Sequence, residues 1–110
     1  MDNSYLKLID AGKRAAAQHE VNKLIVGCEA FKIGKTGQTR DERLSEYGDE
    51  YTNMEFVYTG SREQVDAMEY ILIEYFSLHH KCENIKDGLK SNHDNMKEGA
   101  PEYHVYVVWR

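Results

Sequence analysis

Four cations, a hydroxyl and a carboxylate stand out as groups that could act together on a phosphate: Lys32, Lys35, Arg40, Arg43, Tyr47 and Glu69. The cations crowd around Gly34 and Gly37, where glycine turns and a following helix start expose backbone N–H groups to anions. The Walker spacing is absent, because no glycine precedes Gly34 at the required distance. Arg43 and Tyr47 stand four apart and share one helical face. Glu69 falls inside an apolar helical stripe with Val65, Met68, Leu72, Tyr75 and Phe76. A carboxylate there is costly to bury unless a cation pairs with it or a metal binds it. It either holds a divalent ion or pairs with Lys32 or Arg43 for stability alone.

These residues need particular elements to carry them. Residues 31–33 form a short strand-like run, and Thr39 with Glu42 three positions later is a capping box that opens the helix bearing Arg43 and Tyr47. Ser61 with Gln64 opens a second helix over about 62–79, which carries Glu69. Residues 54–59 alternate as a strand ending at Gly60. Upstream, Ser4 caps a helix running to about Glu20, with Tyr5, Leu8 and Ile9 on one side. Residues 21–26, with their Leu24-Ile25-Val26 run, are expected as a strand that turns through Gly27 into 31–33 as a hairpin. Residues 80–99 are polar, with Asp87-Gly88, Asn92 and Asp94-Asn95, and suggest a long surface segment. Pro101 precedes a β-rich run, 102–109, that adds a strand.

With 110 residues and 41% hydrophobic content, one modest core and a single domain, 1–110, are expected. Within it, 22–84 form the core, 1–21 an N-terminal helix, and 85–110 a surface segment and C-terminal strand. The net charge of −5 excludes a general nucleic-acid coat and confines any such contact to a local basic patch. Cys28 and Cys82, with no apolar leader or membrane-length run, predict reduced thiols in an intracellular, cytoplasmic protein. His79, His80 and Cys82 have no second pair at zinc-finger spacing and suggest a polar helix end.

Lys32-Ile33-Gly34-Lys35-Thr36, then Glu42-Arg43-Leu44-Ser45-Glu46-Tyr47, then Glu69-Tyr70-Ile71-Leu72-Ile73 and Asn84 resemble the GIY-YIG nuclease superfamily, in its branch with Lys-Ile-Gly in the second motif. The resemblance covers about 22–84. It implies an α+β fold: a small three-stranded antiparallel sheet flanked by helices, here with an extra N-terminal helix and a C-terminal strand. It also implies a metal-dependent endonuclease that hydrolyses phosphodiester bonds in DNA. Arg43 would contact the scissile phosphate and Glu69 would hold one Mg2+ or Mn2+. Lys32 would stand for the second-strand tyrosine, and Tyr47 would join the site one turn after Arg43. Nucleic acid would be held by Lys32, Lys35, Arg40 and Arg43. The first-strand tyrosine has no counterpart in Lys23-Leu24-Ile25-Val26. Either Tyr47, Tyr58 or His104 replaces it, or catalysis is lost and the domain binds nucleic acid or inhibits a nucleic-acid-processing protein.

Overall fold

The computed structural model describes residues 4–84 and 99–110. Most of the expected surface segment, over 85–98, lies outside the described residues. After a short 3-10 helix, Ser4–Leu8, the elements run α1 (Ala11–Leu24), β1 (Phe31–Thr36), α2 (Arg40–Ser45), β2 (Asn53–Gly60), α3 (Arg62–Phe76) and β3 (Tyr103–Trp109). The result is an α+β domain with a three-stranded, fully antiparallel open sheet of order β1-β3-β2. Among the described residues no helix is long and apolar enough to cross a membrane.

The first helix starts and ends later than the sequence suggested. Asp10 is its N-cap, its side chain accepting the Lys13 N–H at 2.9 Å. Arg14 Nη1 donates to the carbonyls of Leu6 and Ile9, at 2.8 and 2.7 Å, and so ties the 3-10 turn to the helix. At the other end the Ile25 N–H closes on Val21 O, and Gly27 takes a φ of +78° that other residues avoid. Residues 21–26 are therefore not a strand, and the expected hairpin with 31–33 does not form. Ala17 and Val21, four apart, are both buried on the helix face turned to the core. That packing outweighs the β-propensity of Val21.

The strand missing from the front is supplied from the back. β3 lies in the middle of the sheet, with Val105, Tyr106, Val107 and Val108 each no more than 1% exposed. The most continuously apolar run takes the position buried on both faces. The centre of the sheet thus lies outside the span 22–84 and is formed by the strand expected at the C-terminus.

Strand alternation sorts side chains onto two faces. Ile33, Val105 and Val107 pack with Val65, Met68 and Leu72 of α3 and Ala17 and Val21 of α1. Tyr106, Val108, Met54 and Tyr51 form a second cluster, on which Leu44, Tyr47 and Phe56 pack. Thus α3 and α1 cover one face and α2 covers the other. α3 keeps its capping box and ends at Phe76 rather than near 79. Val65, Met68, Leu72 and Phe76 are buried as the periodicity required, whereas Tyr75 is 57% exposed in the last turn.

Asn84 closes the outer edge of β1. Its side chain accepts the Ile33 N–H and donates to the Ile33 carbonyl, both at 2.8 Å, while Phe31 exchanges backbone bonds with Lys81 and Glu83. The outward-facing backbone groups of Phe31 and Ile33 are thereby paired. Cys28 and Cys82 are buried free thiols, and His79 stacks on His80 beside them in sequence.

Candidate functional site

On the α2 face, Arg43 and Tyr47 converge on Tyr106. The capping box of Thr39 and Glu42 is complete and sets where α2 begins, so Arg43 sits in its last turn with Tyr47 just beyond. Arg43 Nε donates to the Tyr106 hydroxyl at 3.1 Å, and the Tyr47 and Tyr106 hydroxyls hydrogen-bond to each other at 2.5 Å. The guanidinium lies 5.0 Å from the Tyr47 ring centre and 5.7 Å from that of Tyr106, as a cation–π contact requires. Arg43 Nη1 also donates to Glu46 Oε1 at 2.6 Å, and Gln38 donates to the other Glu46 oxygen at 3.2 Å.

Tyr106 reaches this position across Gly34, its partner in the β1–β3 register. A β-carbon at residue 34 would overlap the Tyr106 ring and hydroxyl. The glycine of the Lys-Ile-Gly motif thus makes room for a tyrosine from another strand.

Burial raises the Tyr106 phenol well above its ordinary value; Tyr47 adds to the effect and Arg43 opposes it. The phenol therefore stays protonated and serves as a hydrogen-bond donor and acceptor, not as a base. Burial works against the Arg43 charge, but Tyr106, Glu46 and Tyr47 outweigh it and keep the guanidinium protonated. The Glu46 carboxyl is held below its usual range by its hydrogen bonds from Arg43 and then Gln38.

Two residues before Tyr106, and on the same face of β3 by alternation, His104 stacks on Phe56 with ring centres 4.0 Å apart. Its Nδ1 meets Thr59 Oγ1 at 2.7 Å, and its Nε2 lies 3.7 Å from Glu102. Burial lowers its pKa from 6.5, with Glu102 opposing, so the imidazole is neutral at neutral pH and can accept a proton.

Glu69 belongs to the opposite face. It is 7% exposed on α3, and its carboxylate meets Lys35 Nζ at 3.3 Å. Asp66, one turn earlier on the helix, meets the same ammonium at 2.7 Å. The Lys35 side chain is only 4% exposed. By alternation Lys35 points with Phe31 and Ile33 toward α3, whereas Gly34 lies beneath Tyr106 on the α2 face. Lys32, Arg43, Tyr47 and Glu69 therefore do not share one concave face: Arg43 and Tyr47 come together on one side, and Glu69 lies on the other. Lys35, expected as a phosphate contact, is buried against two carboxylates. One ammonium thus sits against both acidic groups and offsets part of their charge.

Lys32 faces the α2 side in register with Val108 and is half-buried. Arg40 donates from Nε to the Met54 carbonyl at 2.7 Å and from Nη1 to Asp41 at 3.2 Å, which fastens α2 to β2. Tyr106 and Asp66 are site residues that sequence reasoning missed. The signal for Tyr106 was present in the alternation of residues 103–109, but it becomes meaningful only once that run lies beside Lys-Ile-Gly.

Comparison with protein-family models, curated proteins and solved structures finds no significant match for this chain.

Proposed function

We propose that this chain is a GIY-YIG-like domain that cleaves phosphodiester bonds in DNA, with its strand tyrosine supplied by the last strand instead of the first. The observation that carries this reading is Tyr106. It stands on the strand paired antiparallel with Lys-Ile-Gly, and its hydroxyl is bonded to both Arg43 and Tyr47. That is the placement the resemblance asks of the tyrosine absent from residues 23–26, reached by a rearranged strand order.

In this reading Arg43 stabilises the charge that develops on the phosphate. Tyr106, buried, holds Arg43 and the Tyr47 hydroxyl in place, Tyr47 orients the attacking water, and His104 is the neutral group on the same face able to take its proton. Lys32, on this face too, adds positive charge for the nucleic acid. Conversion of supercoiled plasmid to nicked and linear forms, measured in Mg2+, in Mn2+ and in EDTA, tests the assignment. Arg43→Ala and Tyr106→Phe should each lower the rate by about 100-fold or more. Activity equal in wild type and Arg43→Ala would assign the cleavage to something else.

The Lys35–Glu69 contact favours a second reading, in which cleavage is lost and the domain binds nucleic acid or inhibits a nucleic-acid-processing protein. Binding of DNA that weakens steeply with salt, with no cleavage in any of the three conditions, would support nucleic-acid binding. Binding insensitive to salt would point to a protein partner.

A further inference from the structure

We infer that Lys35 is a built-in cation that closes the Asp66–Glu69 carboxylate pair to divalent metal ions, so that this side of the domain works without one. The inference does not depend on whether the chain cleaves DNA, because it concerns only what occupies the space between α3 and β1.

Asp66 and Glu69 stand three apart on α3, so both carboxylates project from one helical face. Between them lies one ammonium, 2.7 Å from Asp66 and 3.3 Å from Glu69. A Mg2+ ion would have to come to about 2.1 Å from a carboxylate oxygen, and the ammonium already lies against both groups. Like-charge repulsion would then act across a few ångströms in a site with little water to screen it.

The lysine also has little freedom to withdraw. Its side chain is 4% exposed, and its backbone is held in the β1–β3 ladder opposite Val105. The same strand is fixed at its outer edge by the two Asn84 bonds to Ile33. Glu69 is 9% exposed at its side chain and sits among Val65, Met68 and Leu72, so its contact with Lys35 is interior, whereas Asp66, 39% exposed at its side chain, forms the solvent edge of the cluster. The arrangement combines the features of a cation site, two convergent carboxylates on a rigid helix, with a cation tethered to the chain.

Lys35→Met tests this, because it keeps the length and apolar stem of the side chain and removes only the charge. In a thermal melt, millimolar Mn2+ should leave the wild type unchanged and raise the melting temperature of Lys35→Met by several degrees, and adding Glu69→Gln to that variant should abolish the rise. A folded Lys35→Met that gains nothing from Mn2+ would overturn the inference. If the variant does not fold, the wild type decides alone through amide spectra recorded with Mn2+. Unbroadened signals at Asp66 and Glu69 support the built-in cation, and selective broadening there, or a wild-type melting temperature that rises with Mn2+, refutes it. A wild type that cleaves no DNA under any condition removes the nuclease proposal while leaving each of these readouts intact.

Discussion

At the scale of single residues, the α2 face is a set of mutually dependent placements. Tyr106 needs Gly34 because any side chain there would occupy the space of its ring. Gly34→Ala should therefore push Tyr106 off Arg43 and, on the proposed nuclease function, cost as much cleavage as Tyr106→Phe, while the far-ultraviolet dichroism stays close to wild type. Strand residues with φ values open to alanine tolerate the backbone change, so the predicted defect comes from the displaced ring. Retained activity in Gly34→Ala would mean that the Tyr106 hydroxyl does not take part. The opposite face obeys a different rule, since Lys35, Asp66 and Glu69 are held together by charge, with Lys35 and Glu69 buried and Asp66 at the solvent edge. Removing Glu69 still leaves Lys35 paired with Asp66 at 2.7 Å, whereas removing Lys35 takes the ammonium away from both carboxylates at once.

At the scale of elements, two edges decide the architecture. The outer edge of β1 is closed by a side chain, and Asn84→Ala would leave the buried N–H and C=O of Ile33 unpaired. A loss of about 3 kcal/mol in denaturant unfolding is expected. Asn84→Asp should also destabilise, because a carboxylate cannot donate to the Ile33 carbonyl. The second edge is where α1 ends. Val21 is fully buried on the helix, whereas Val26 is 81% exposed beyond it. Val21→Asp is expected to destabilise by at least about 3 kcal/mol by burying an unpaired charge, and Val26→Asp to change stability by no more than about 0.5 kcal/mol. A strand over 21–26 would also set these two residues on opposite faces, so helical amide chemical shifts through Leu24 complete the test and exclude the hairpin.

At the scale of the whole molecule, buried titratable groups bound the pH range in which the fold is most stable. His104 is lowered from 6.5 chiefly by burial, and His79 is lowered as well, burial first and then His80 and Lys81. The folded state thus takes up these protons less readily than the unfolded chain. Their contribution is complete above the unfolded value of 6.5 and is lost as pH falls below it. Cys28 and Cys82 are raised from 9.0 and Tyr106 from 10.0, each first by burial. Tyr51 is also raised, by burial and then by its hydrogen bond to Glu83. Here the folded state retains protons that the unfolded chain gives up, so stability is complete below 9.0 and is lost as pH rises. The melting temperature should accordingly be highest between 6.5 and 9.0 and fall on both sides. Tyr106→Phe should flatten the alkaline decline. A melting temperature still rising above pH 10 would contradict the assigned burial of these groups.

The sequence alone determined the elements whose signals are local. Both capping boxes, the start of a strand at 31–33, the strand ending at Gly60 and the apolar stripe of α3 follow from hydrogen-bonding side chains at fixed offsets and from periodicity, and none of these depends on distant partners; that the first of these strands continues to Thr36 appears only in the sheet. The same reasoning put a carboxylate in the core at Glu69 and a guanidinium beside Tyr47. Only the tertiary structure decided that residues 21–24 are helix, because Val21 is buried by contacts with α3 and the sheet that its neighbours in sequence do not reveal. Strand order was equally out of reach: β3 is central because it buries apolar side chains on both faces, a property of the assembled layers. Tyr106 meets Arg43 across 63 positions of sequence, and Lys35 meets Glu69 on the far side of the same sheet. A one-residue step along a strand reverses the face, so the neighbouring Gly34 and Lys35 serve two separate clusters, and only the register with β3 shows which is which.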